Sequence, residues 1–191
     1  MKQAHRIAVI YGSTREGRLA DRVGAWVRGQ LGEHAGLEID VIDPLSEALP
    51  AHHEAQDSPA LQRVQARLAA ADAFLVLTPE YNHSFPAALK FLIDSVYDAW
   101  QAKPVGFVSY GGQSGGLRAV EQLRQVFAEL HAMTVRDAVA FVNVWEQFAD
   151  GGALYAPARS ARAFHRMLDQ LLWWSKALKD ARNDDDYARV A

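Results

Sequence analysis

A chain of 191 residues, half of them hydrophobic, suffices for one full-sized core and is short for two; with no repeat period or long linker it reads as a single domain over 1–191. A net charge of -3 and an isoelectric point near 6.1 give no footprint for nucleic acid, and the absence of cysteine excludes disulfides, thiol catalysis, cysteine-ligated zinc and iron–sulfur clusters. The polar start does not make a secretory signal and no apolar run reaches membrane-spanning length, so a cytoplasmic protein without membrane partners is expected.

Residues 6–11 are β-branched and apolar and read as a buried strand. A turn over 12–18 leads into a helix over 19–31, where Val23, Trp26, Val27 and Leu31 fall near helical spacing. Residues 37–42 alternate as a strand that Asp43 and Pro44 end; 50–59 reads as a loop, and 60–71 carries Leu61, Val64 and Leu68 on one helical face. Residues 73–78 form a continuous apolar run closed by Pro79, as a central parallel strand would. Pro86 suits the first turn of a helix to about Trp100, with Leu89, Leu92, Ile93 and Val96 as its stripe. A strand over 103–109, a glycine-rich turn over 110–116 and a helix over 117–131 follow. A fifth strand region over 134–144 and a helix over roughly 160–181 precede an acidic tail, 183–191, expected to fray.

This alternation argues for a parallel sheet covered by helices on both faces. Five strands at this length fit a flavodoxin-like three-layer α/β/α sandwich with strand order 2-1-3-4-5. In that order the loops after strands one and three flank the point where the order reverses, and the loop after strand four lies beside them. Ligands of open α/β sheets bind there, outside the carboxyl ends of the strands.

Each loop has matching chemistry. In the first, Gly12 permits a tight turn, Ser13 and Thr14 add hydroxyls, a helix N-terminus follows, and Arg15 and Arg18 offer charge to a phosphate. It matches neither the Walker nor the G-x-G-x-x-G pattern, and a solvated, capped turn is the plainer alternative. In the second, Pro79 fixes the exit from the strand, and Glu80, Tyr81, Asn82, His83 and Ser84 present polar groups and an aromatic face to a planar ring. In the third, Tyr110, Gly111, Gly112, Gly115 and Gly116 allow close backbone approach to a ring edge.

Three segments, Gly12-Ser-Thr-Arg-Glu-Gly-Arg18, Thr78-Pro-Glu-Tyr-Asn-His-Ser-Phe-Pro-Ala-Ala-Leu-Lys90 and Ser109-Tyr-Gly-Gly-Gln-Ser-Gly-Gly116, together resemble the NADPH-dependent FMN reductase family over nearly the whole chain. The resemblance implies that Ser13, Arg15 and Arg18 hold the FMN phosphate. It implies that Pro79, Glu80, Tyr81, Asn82 and His83 line the isoalloxazine and that Ser109, Tyr110, Gly111 and Gly112 border the same ring. It further implies NADPH or NADH as co-substrate, a small-molecule electron acceptor, and a homodimer or homotetramer. Two departures stand out: Arg18 where many relatives have serine, and Phe91 where many have asparagine.

His34, His52 and His53 read as solvated loop histidines rather than metal ligands. Trp100, Trp173 and Trp174 read as core or subunit interface, and no motif supports a ring-stacking role for Trp145. Arg118, Glu121 and Arg124 read as surface helix pairs. The leading expectation is an FMN-dependent NAD(P)H oxidoreductase with ping-pong kinetics, the flavin carrying the chemistry and serving a quinone, azo, flavin or metal-oxyanion acceptor. The alternatives are a flavodoxin-like electron carrier, which the near-neutral charge and two arginines argue against, and a binding module that keeps the fold without FMN.

Overall fold

The computed structural model describes residues 5–53 and 58–189. Its elements are β1 (His5–Tyr11), α1 (Ala20–Gly32), β2 (Leu37–Ile42), α2 (Pro59–Ala70), β3 (Ala73–Pro79), α3 (Ala87–Asp94), β4 (Pro104–Tyr110), α4 (Leu117–Glu129), β5 (Met133–Thr134), β6 (Val139–Phe141) and α5 (Pro157–Asp184). Every pair in the sheet is parallel, in the order β2-β1-β3-β4-β5, with β6 also beside β4. This is the flavodoxin-like order expected from the alternation. The 50–59 loop is described only in part, since 54–57 fall outside the described residues.

The central strands are apolar on both faces because both are covered. Ile7, Val9 and Tyr11 of β1 pack with Val23, Val27 and Leu31 of α1 and with Phe164, Met167, Leu168 and Leu171 of α5. Ala8 and Ile10 turn to the other layer, where Val64 and Leu68 of α2, Leu89, Leu92 and Ile93 of α3, and Leu123 and Phe127 of α4 close the second core. Pro59 starts α2 behind Ser58, whose Oγ accepts from the Leu61 N–H at 3.3 Å. No helix among the described residues is long and apolar enough to cross a membrane.

One glycine fixes how α1 approaches the sheet. A Cβ at Gly24 would lie 1.8 Å from Tyr11 Oη and 2.3 Å from its Cζ, and that hydroxyl accepts a 2.7 Å hydrogen bond from Arg28. Gly24→Ala therefore has to drive a buried ring out of its seat. We expect a loss of about 1–3 kcal/mol, typical of an overpacked core, read as a lower thermal midpoint; an unchanged midpoint contradicts this packing.

Three elements differ from the sequence expectation. The helix after Pro86 stops at Asp94 rather than near Trp100. Ser95 Oγ bonds the Phe91 carbonyl at 2.7 Å, and Trp100, on a short 3-10 turn, donates its indole N–H to the carbonyls of Val96 (2.7 Å) and Ile93 (3.3 Å). The freed helix end is thus satisfied by a buried side chain. The fifth strand region is two short strands: Asp137 leaves the ladder to accept from Arg166, and its N–H bonds Gln170, both on α5. α5 begins earlier, at Pro157, and extends to Asp184, into the start of the segment expected to fray. Trp100 is core, but Trp173 and Trp174 are 64% and 37% exposed, because α5 turns that side away from the sheet.

Candidate functional site: a crevice at the strand-order reversal

The loop after β1 passes close over β3. The Gly12 N–H donates to the Leu77 carbonyl at 2.8 Å, and a Cβ at Gly12 would lie 2.9 Å from that oxygen, so only glycine fits. Ser13 is buried, and its Oγ lies 2.7 Å from Tyr81 Oη, which couples this loop to the one after β3. Arg15 is exposed and lies over the Tyr81 ring, 3.6 Å from its centroid, with no carboxylate partner among the described residues. α1 then starts without a side-chain cap, so its first N–H groups face the loop, an arrangement suited to an anion.

Arg18 is differently placed. Its side chain is 6% exposed and every nitrogen is engaged within the chain. Nη1 donates to the Ser13 carbonyl (2.5 Å) and Asp43 (2.7 Å), Nη2 to Asp43 and Asp21, and Nε to Asp21 (3.0 Å). Asp43, just past β2, therefore ties that edge of the sheet to the first loop. Burial works to raise the Asp43 carboxyl, but bonds from Arg18 and the Leu45 N–H outweigh it and hold it below the usual carboxylate range.

Beyond β3, Tyr81 and Ser84 exchange both backbone hydrogen bonds, at 2.8 and 3.0 Å. Asn82 and His83 between them have φ of 49° and 71°, the left-handed pair that a two-residue type I′ turn requires. Gln122 of α4 clamps the turn, donating to the His83 carbonyl (2.8 Å) and accepting from Ser84 Oγ (2.5 Å). Glu80 points back: its carboxylate accepts from Ser114 Oγ (2.7 Å), the Arg118 N–H (3.1 Å) and the Arg118 guanidinium (3.0 Å). Burial alone would raise it, yet these donors lower it below its ordinary value. Arg118 thus serves the loop rather than a helix pair, whereas Arg124 does pair with Glu121 at 3.1 Å.

The loop after β4 is held from below. Ser109 is fully buried and donates to the Gly115 carbonyl at 2.8 Å; a Cβ at Gly116, where φ is 87°, would meet Ser109 Cβ at 2.7 Å. Gly111 and Gly112 accept, through their carbonyls, from the Val144 (3.1 Å) and Asn143 (3.0 Å) N–H groups. This brings a 3-10 turn (Val144–Glu146) alongside, with Trp145 58% exposed at the rim.

The three loops enclose a crevice of about 350 Å³. Ser13, Arg15, Arg18, Pro79, Glu80, Tyr81, Tyr110, Gly111 and Gly112 line it, joined by Val144 and Trp145. Asn82, His83 and Ser109 do not reach it and instead shape the loops that do. Trp145 carries no motif; the backbone bonds of its neighbours Asn143 and Val144 to Gly112 and Gly111 bring it in. A larger hollow of about 670 Å³, at the other end of β4 near Lys103 and Arg182, contains none of the three loops. The histidines disperse: His34 meets His165 at 3.2 Å and His53 stacks on Phe91 at 4.4 Å. Among the described residues no group of three or more metal-ligating side chains forms.

Asp43 and Glu80 carry a pH signature. Both carboxyls are lowered in the folded state, so their stabilisation is complete above the unfolded carboxyl pKa of about 4 and is lost as pH falls through the folded values. We expect their share of stability to be constant from neutral pH to about 5 and to fall below about 4, with Glu80→Gln flattening part of that fall. Thermal midpoints across pH 2.5–7, matched between wild type and variant, check it; an identical acid slope in both contradicts the role given to Glu80.

Residues 5–146 match the family described as NADPH-dependent FMN reductase. The chain is 35% identical over 144 residues to an NAD(P)H-dependent FMN reductase of Schizosaccharomyces pombe, covering 66% of this chain and 67% of that protein. It is 31% identical over 189 residues to a quinone reductase of Pseudomonas putida, covering 92% and 97%. Among solved structures, the flavoenzyme NAD(P)H:(acceptor) oxidoreductase FerB of Paracoccus denitrificans superposes with a TM-score of 0.73 at 22% identity, covering 91% of this chain and 98% of that one, a likeness of fold.

Proposed function

The chain belongs to the NADPH-dependent FMN reductase family, and from that premise we propose an NAD(P)H-dependent, quinone-reductase-type oxidoreductase whose FMN lies in the crevice between the loops after β1, β3 and β4. The observation that carries the reading is the meeting of an exposed arginine, without a carboxylate partner among the described residues, and an uncapped helix start with a side-chain-free strip of backbone in one crevice. An anion fits the first pair and a planar edge fits the second.

In this reading Ser13, Arg15 and the uncapped N–H groups at the start of α1 hold the phosphate. Arg18 holds the shape of that loop, its charge largely offset by Asp43 and Asp21. Pro79, Tyr81 and the backbone of Glu80 and of Tyr110, Gly111 and Gly112 fix the ring, with Asn82, His83 and Ser109 bracing them. When bound, the cofactor supplies the redox chemistry: hydride in from NADPH or NADH, then out to a quinone, azo, flavin or metal-oxyanion acceptor. The Gly111 N–H is spent on the Phe141 carbonyl at 3.2 Å, which leaves the Gly112 N–H as the backbone donor of that pair that would favour negative charge beside it. Trp145 walls the open side, where a planar substrate enters.

The proposal includes successive use of one open face by two substrates, hence ping-pong kinetics, in a cytoplasmic homodimer or homotetramer. Trp173 and Trp174 offer apolar surface that such an assembly would cover. Initial rates with NADPH and a quinone varied together are expected to give parallel double-reciprocal lines. Intersecting lines overturn the shared-face mechanism, and no turnover without an added reductase favours an electron carrier instead.

A further inference from the structure

Lys103 and Arg182 meet at the start of β4, the end opposite the glycine-rich loop, and neither sits as a surface cation would. Lys103 is 7% exposed and Arg182 is half-buried. Lys103 Nζ donates to the carbonyls of Leu68 (3.2 Å) and Ala69 (2.7 Å) at the end of α2, and Arg182 Nη1 donates to the Ala102 carbonyl. Among the described residues no carboxylate forms an ion pair with either. The nearby Asp72 is taken, accepting from Lys179 Nζ (2.9 Å) and the Arg6 N–H (3.0 Å). Two neighbouring cations drawn out of water with only carbonyl partners are destabilising, so a retained pair calls for a counter-ion.

Both side chains line the hollow of about 670 Å³. The Ala102 N–H donates to the His131 carbonyl at 2.9 Å and the Met133 N–H to the Lys103 carbonyl at 3.0 Å, which holds the end of α4 against the start of β4. His131 itself is left-handed, with φ of 57°, as residues just past a helix end often are. Its Nδ1 lies 3.1 Å from Tyr187 Oη, beyond the end of α5. The hollow is open to solutes: His131 is exposed and Tyr97, also in its lining, is 55% exposed. Asp98 and Asp186 line it too, and neither pairs with a cation among the described residues. Burial, reinforced by Arg182, lowers Lys103 to about 8, so at pH 7 it still carries its charge.

We propose that this hollow is a second anion site, outside the redox crevice, which takes the phosphate group of a small hydroxylated phosphomonoester of the sugar-phosphate class. The Arg182 guanidinium, engaged within the chain only by a carbonyl, has donors left for phosphate oxygens, and Lys103 adds a second positive charge. The hollow is larger than a bare phosphate needs. Asp98 and Asp186 supply acceptors for hydroxyls on the rest of the ligand, which a free anion lacks.

Calorimetric titration of the full chain at pH 7 and fixed ionic strength, with and without FMN, tests this using inorganic phosphate, ribose 5-phosphate and ribose. Ribose 5-phosphate is expected to bind more tightly than phosphate, with ribose undetected and FMN without effect. Arg182→Gln is expected to weaken ribose 5-phosphate about 10-fold, the loss of one charge-assisted contact. In the wild type, the His131 ring proton resonances, assigned with His131→Gln, are expected to move on adding ribose 5-phosphate, a reading independent of how Arg182→Gln folds. Unmoved His131 resonances, displacement by FMN, or undiminished affinity in a folded Arg182→Gln overturns the site. Equal affinity for phosphate and ribose 5-phosphate, or binding of ribose alone, overturns the ligand class.

Discussion

Replacing Arg15 with alanine is expected to weaken FMN binding about 100-fold, with the thermal midpoint of the flavin-free protein nearly unchanged. Charge-assisted hydrogen bonds to a phosphate contribute about 1.5–3 kcal/mol each, so losing a two-pronged contact removes about 3 kcal/mol. Among the described residues the Arg15 guanidinium lies over the Tyr81 ring, a contact of about 0.5–1 kcal/mol at such a site. Binding and folding therefore separate at this residue. A variant that keeps its FMN affinity, or that unfolds, contradicts the division of labour between the two arginines. Riboflavin provides the control, since its affinity should be far less sensitive to Arg15.

Arg18→Ala is expected to act on folding first. It strips the half-buried Asp43 of its partner and frees the Ser13 carbonyl, and breaking such a pair costs about 3 kcal/mol or more. For a chain of this size that corresponds to a fall in thermal midpoint of roughly 10 °C. FMN affinity falls as well, because the loop loses its tether to the β2 edge. Adding Asp43→Asn should recover part of the lost stability, since the remaining group is then neutral. A double variant as unstable as the single one rules out the unpaired carboxylate as the cause.

The contrast between the arginines marks what a sequence can and cannot carry. Both lie in one seven-residue turn, and local chemistry gives them the same role. Their separation depends on Asp43, which is 25 residues from Arg18 and adjacent to it only because β1 and β2 pair. Trp145 is similar: it reaches the crevice through backbone bonds to Gly111 and Gly112 that no local pattern announces. The strand order was legible because β1, β3 and β4 are apolar on both faces, which only a doubly covered parallel sheet allows. The loop positions were legible because Gly12, Pro79 and Gly111 punctuate the strand ends.

Element ends were less legible, for tertiary reasons. The apolar stripe of α3 continues to Val96, and its periodicity says nothing of Ser95 and Trp100 capturing the carbonyls that end the helix. Between β5 and β6, residues 135–138 fall inside the stretch read as one strand, and Asp137 is drawn out of it to Arg166 and Gln170 of α5. Trp173 and Trp174 read as core or subunit interface, and core is excluded because the face of α5 that meets the sheet is set by Phe164, Met167, Leu168 and Leu171.

The central claim is that this crevice binds FMN and presents it to NAD(P)H. The most direct measurement is anaerobic stopped-flow absorbance near 450 nm of the FMN-loaded protein, mixed first with NADPH or NADH and then with a quinone. Rapid bleaching by at least one nicotinamide is expected, with recovery of the absorbance on adding the quinone and no second protein present. Bound flavin that neither nicotinamide bleaches would contradict it.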